Sequence, residues 1–290
     1  MHPAPSVIVF TTLSGLGFGM LFWLGLGLPS VTGWVAFFMF AVAYALAVGG
    51  LIASTFHLGH PERAIKAFSQ WRSSWLSREG VVAVATLMVM ALYAAGAVFF
   101  GAQWTILGWT GAGLALLAVF CTAMIYAQLD TVPRWKTPLT PVLFLSISIA
   151  GGALLSGQVV AAMVLLPLAA IAQVVWWLRG DGAFNLAGST VASATGLGSR
   201  GAVRPFEPPH TGTNYLLREF AFEVGRKHVE KLRVIGIFLG FVVPFVVLWM
   251  PFSHGLVLFA VLCHLAGIAA SRWLFFAQAE HVVGLYYGKR

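Results

Sequence analysis

A histidine and a glutamate at the edges of neighbouring apolar runs are the first pair in this sequence able to pass a proton. His57 closes one run and Glu79 stands just before the next, within the stretch STFHLGHPERAIKAFSQWRSSWLSREG. Imidazole titrates near neutrality and hydrogen-bonds carbonyls and hydroxyls, so this pair suits proton exchange with a lipid-soluble molecule. The spacing also allows a plainer reading, in which His57 caps a helix end and Glu79 pairs with Arg78 or Arg63. A second cluster, Asp130-Thr131-Val132-Pro133-Arg134-Trp135, reads as a turn anchored by Arg134 and Trp135, with a site role for Asp130 or Trp135 the other reading. Near the end of the chain, Arg272 sits inside an apolar run, where an unpaired Arg costs about 2.5–3.5 kcal/mol. It either faces a polar site or snorkels to the interface. Glu280 and His281 follow it, and His264 alone lies deep within a run.

The elements that must position these residues follow from composition. Of 290 residues, 59% are hydrophobic and only 9% charged, against about 25% charged in soluble domains. That excludes a soluble fold. Roughly 20 apolar residues of helix cross the hydrocarbon. Eight such runs fall at 6–27, 33–56, 81–100, 104–127, 139–157, 159–178, 234–252 and 255–279. No run alternates polar and apolar residues as a barrel strand would. The expected fold is therefore all-α, with eight transmembrane helices.

All but one of the 17 Lys and Arg, Arg272 being the exception, fall on one face of such an arrangement. They lie in the segments 57–80, 128–138 and 179–233 and in the tail, with Arg226, Lys227, Lys289 and Arg290 among them. The positive-inside rule then puts both termini and the long loops in the cytoplasm. A net charge of +8 reads as topology and a docking surface, with no nucleic acid needed. The two long loops follow the second and sixth runs, which suggests two four-helix halves within a single membrane domain. The loop 179–233 carries an amphipathic stretch suited to a partner protein or the bilayer surface.

Cys121 and Cys263 are too few to hold an iron–sulfur cluster or a four-cysteine zinc site. Haem spanning two helices needs opposed histidines at similar depth, and His264 has no visible partner, which leaves only His57 with His281 at the edge.

The runs FHLGHPERAIKAFSQWRSSWLSREG and YAQLDTVPRW, and more loosely LFFAQAEHVVGLYYG, resemble the membrane anchor subunits of the dimethyl sulfoxide reductase type. These are similar in task to the polysulfide reductase type of anchor. The resemblance implies eight helices, no haem, and electron exchange between quinone (menaquinone or ubiquinone) and a docked iron–sulfur subunit that serves a molybdopterin catalytic subunit. It also implies a bacterial inner membrane. The family's quinone-reactive histidine falls on His57 and its quinone-linked glutamate on Glu79. Arg63, Arg72, Asp130, Trp135 and Arg272 complete the expected quinone site, with an arginine holding Glu79 or Asp130. The long third loop, TGLGSRGAVRPFEPPHTGTNYL, looks more like anchors of cytoplasmic sulfite dehydrogenases, so either direction of electron flow is open. An eight-helix transporter or a purely structural anchor are the alternatives; the nearly apolar mid-span positions argue against the transporter.

Overall fold

The structure, a computed structural model, describes residues 1–58, 60–207, 209–210, 212, 214–220 and 228–288. Arg226, Lys227, Lys289 and Arg290 lie outside the described residues, as does part of the amphipathic stretch. Among the described residues the chain is helical, with no strand.

Among the described residues, six helices are long and apolar enough to cross a membrane. They are α1 (Pro5–Gly25), α2 (Gly33–Thr55), α3 (Trp75–Phe99), α4 (Thr105–Ala127), α6 (Val159–Asp181) and α8 (His254–Ala277). Between them, α5 (Leu139–Leu155) is apolar and 17 residues long. The seventh helical run, α7, is composite: an α-helix Val229–Ile237, a π-helical turn Phe238–Val242, and a short α-helix Val243–Val247.

The break in α7 has an identifiable cause. Pro244 carries no N–H, so the regular bond to the carbonyl four residues earlier, that of Gly240, is absent. His264 of α8 supplies the donor: its Nδ1 gives a hydrogen bond to the Gly240 oxygen at 2.6 Å. An unpaired carbonyl at membrane depth costs several kcal/mol, so this bond accounts for a histidine there. Close approach of the two backbones makes the reach short enough. A Cβ on Gly267 would fall 2.0 Å from the Gly240 nitrogen, so only glycine fits.

Tight connections end on glycines in the left-handed region, Gly27, Gly101 and Gly157, at the junctions between paired runs. Other boundaries differ from the hydropathy reading. Helix α3 begins at Trp75 rather than residue 81, α6 runs on to Asp181, and α7 begins at Val229. Hydropathy stops at the first charges, whereas backbone hydrogen bonding continues into the interface, where charged side chains such as Arg179 and Glu230 remain exposed. Glu79 is thereby part of a helix rather than of the loop before it.

Helices α1 to α4 each touch the next, and α4 closes on α1; α5 to α8 repeat that order, with α8 touching α5. Contacts of α1 with α5, α4 with α5 and α1 with α8 join the two sets. The central α1–α5 crossing is as tight as that of α7 and α8, because a Cβ on Gly152 would fall 2.2 Å from the Gly19 backbone. The N-terminus meets the end of α8, where the Met1 ammonium donates to the Ala279 carbonyl at 2.7 Å.

Candidate functional site

Among the described residues Glu79 is the one buried carboxylate, 5% exposed, in the second turn of α3. The Thr122 hydroxyl of α4 donates to its Oε1. One turn further along α4, Tyr126 lies within electrostatic reach of both Glu79 and Arg272. Arg272 is 2% exposed and places its guanidinium 3.6 Å from the centre of the Phe144 ring. Its Nε has no hydrogen-bond partner among the described residues. A carboxylate, a phenol and a cation thus line up at the end of the bundle where the charged loops lie. Among the described residues, only the first is given a hydrogen bond by a side chain.

Aromatic rings build the wall beside this line. Tyr126 meets Trp135, Phe275 and Phe276 edge-on, with ring centres 5.2, 5.3 and 5.5 Å away. Trp135 stacks on Phe275 at 5.2 Å, and its Nε1 donates to the Phe275 carbonyl at 2.9 Å. Trp176 also stacks on Phe275, at 5.0 Å, while its Nε1 donates to Thr140 Oγ1, which in turn donates to the Trp135 carbonyl. Trp135 therefore pins the turn after α4 onto α8, with its polar edge fully used.

The loop residues are differently placed. His57 is exposed just beyond α2, and desolvation by the protein beside it holds its imidazole below the usual histidine range. No hydrogen bond or ion pair links it to Glu79. Between them a 3-10 helix, Pro61–Gln70, lies across the start of α3, with Phe68 against Gly80: a Cβ there would sit 3.1 Å from the ring. Arg63 approaches Glu62 at 3.9 Å, and Arg72 lies over Trp71. Asp130 is paired with Lys136 at 2.6 Å, out in solvent. Arg78 turns from Glu79 and donates to the carbonyls of Trp71 and Arg72, at 3.0 and 2.6 Å, so it closes the loop on itself.

Two comparisons bear on what this arrangement serves. The family model of the DMSO reductase anchor subunit (DmsC) matches residues 1–288. The chain belongs to that family. It is also 34% identical to a sulfite dehydrogenase subunit of Allochromatium vinosum over 332 aligned residues, which cover 99% of each chain. No solved structure matches.

Seen as a DmsC-family anchor, the chain has a second polar centre that sequence reasoning missed. Asp181, at the end of α6, accepts from Arg134 at 2.6 Å and from Arg233 of α7 at 2.9 and 2.5 Å. Arg134 and Arg233 lie over Trp176 and Trp177 respectively. Arg179 adds a bond to the Pro133 carbonyl. Thr122 and Tyr126 were missed too. Tyr126 opens the run YAQLDTVPRW, but a threonine and a tyrosine inside an apolar run are given no site role until the facing helix is known. The three charged residues of the clasp were visible at run ends, but their pairing across three segments was not. Among the described residues no three of His, Cys, Asp and Glu gather as metal ligands.

Proposed function

We propose that this chain is the quinone-reactive membrane anchor of a sulfite dehydrogenase-type molybdenum complex. In this reading all eight helical runs span the membrane, with both termini and the charged loops in the cytoplasm of a bacterial inner membrane. A docked iron–sulfur subunit, served by a molybdopterin catalytic subunit, delivers electrons taken from sulfite. Sulfite and water give sulfate, two protons and two electrons; quinone takes up two electrons and two protons to become quinol.

The observation that carries the proposal is the buried Glu79, held by Thr122 at the charged end of the bundle, in a chain matching an anchor family along its length. The relative named as part of a sulfite dehydrogenase favours electron flow from sulfite over flow toward a sulfoxide. Quinone enters from the bilayer beside α3 and α4. His57 hydrogen-bonds one quinone oxygen through its ring N–H, and a proton that the ring takes up from the cytoplasmic side is passed to that oxygen as the quinone is reduced. Glu79 relays protons between that position and the cytoplasm, and Thr122 fixes the rotamer in which it does so. Arg272 places positive charge behind Tyr126, where charge developing on a quinone oxygen is stabilised. Arg63 and Arg72 supply cations at the loop mouth, and Asp130 and Trp135 form the turn that faces it.

His57→Arg and Glu79→Gln are expected to abolish sulfite-to-quinone turnover while leaving dye-linked sulfite oxidation by the molybdopterin partner intact. Equal loss of both activities would contradict the proposal. Because protons enter and leave on one face, turnover in proteoliposomes should generate little membrane potential.

A further inference from the structure

Away from Glu79, a groove of about 630 Å³ lies between the first turns of α1, the start of α7 and the last turns of α8. Its walls are Ile8, Leu232, Ile235 and Trp273, all apolar. The groove exists because α8 presents Ala269 and Ala270 there; larger side chains would close it. Two side chains able to carry positive charge, His228 and Lys231, stand at its mouth, three residues apart and so on one face of the helix start. Both are exposed, and no carboxylate among the described residues pairs with either. Glu230, between them in sequence, is directed to Arg233 at 3.8 Å.

An apolar slot between membrane helices, roofed by two basic side chains that no described carboxylate pairs, matches one chemistry. We propose that this groove is a binding site for an anionic phospholipid, with an acyl chain along Ile235 and Trp273 and the phosphate against Lys231 and His228. Charge complementarity selects the headgroup, since a basic pocket at the cytoplasmic ends of membrane helices favours anionic over zwitterionic lipid. The groove touches α1, α7 and α8, so a bound lipid ties the composite helix α7 to the central helix α1. The inference needs the chain to sit in a membrane; it does not need quinone chemistry.

The test is native mass spectrometry of the full-length chain, released from mild detergent after equilibration with equal amounts of phosphatidylglycerol and phosphatidylcholine of matched acyl chains. The natural chain should retain phosphatidylglycerol preferentially. A cation near the surface contributes enough that removing one cuts that preference about fivefold, and the His228→Gln, Lys231→Gln double variant should erase it. Lys66→Gln, an exposed cation on another loop, should leave it unchanged. Ala270→Phe, which fills the groove, should lose the retained lipid whatever its headgroup. Equal retention of the two lipids by the natural chain would overturn the proposal. So would a preference that survives the double variant, or displacement of phosphatidylglycerol by quinone or by the docked iron–sulfur protein. The double variant changes only exposed side chains, so its result is readable even if Ala270→Phe fails to fold. Failure of the quinone assignment would show in turnover and not in this preference.

Discussion

The connection from α2 to α3 and the connection from α6 to α7 occupy matching places in the two sets of four helices, yet they are held in opposite ways. At the second, Asp181 binds two arginines from different segments, and each arginine is backed by a tryptophan. At the first, the loop charges Glu62, His60 and Arg63 pair with one another in solvent, and Arg78 donates to backbone carbonyls of its own loop and lies over Trp75. The single carboxylate that is buried there, Glu79, meets a neutral hydroxyl. One edge spends its charges on fixing the fold. The other keeps a carboxylate and, behind Tyr126, a guanidinium free of each other, which is the condition for exchanging a proton with a visiting molecule.

Substitutions should separate the two edges. His57→Arg, on the open edge, is expected to lower quinone-linked turnover by about 100-fold or more, the scale of a lost general acid–base group, with thermal unfolding of the complex unchanged. Asp181→Asn, on the clasped edge, should do the reverse. It leaves Arg134, nearly buried, without its charge partner, at a cost of about 2 kcal/mol after allowing for solvent screening of the half-exposed carboxylate. Calorimetry would read that loss, while quinone-linked turnover per folded complex holds. If Asp181→Asn instead struck turnover and spared stability, the contrast between the edges would be wrong. Trp135→Phe keeps the stack on Phe275 and deletes the hydrogen bond to its carbonyl, so about 1 kcal/mol should be lost. A larger fall in quinone affinity than in stability would make Trp135 a binding residue rather than a pin.

The smallest effect concerns His57 and pH. Its imidazole is held below the ordinary histidine range, so over the window between its folded and its ordinary value the unfolded chain binds more protons. Stability should therefore rise with pH through that window and level off above it. His57→Gln should flatten that rise, read from unfolding in matched detergent at pH 5 and 7.5.

The helical runs were legible in the sequence because burial in lipid needs only a length of apolar residues, which local composition reports. The places where reading and structure part are those where a distant residue decides. Residues 234–252 read as an uninterrupted span, although Pro244 carries the warning of a break; the donor that makes the break tolerable, His264, arrives from another helix. That same histidine stands out in the sequence as a candidate for chemistry, and its bond to Gly240 gives it a structural task. Glu79 is visible by its type and place, whereas Thr122 and Tyr126 gain meaning only from the α3–α4 crossing. Asp130, expected beside an arginine, pairs instead with Lys136, its near neighbour in the turn. A charge in a solvated loop takes the partner that costs least chain entropy.

The central claim is that Glu79 serves quinone and not the molybdopterin partner. The most direct measurement compares sulfite oxidation coupled to a soluble quinone with sulfite oxidation coupled to an artificial dye, in the purified complex carrying Glu79→Gln. Loss of the quinone-linked rate by about 100-fold with the dye-linked rate preserved is the result expected of a proton-relaying carboxylate. Preservation of both rates, or their loss in equal measure, would contradict it.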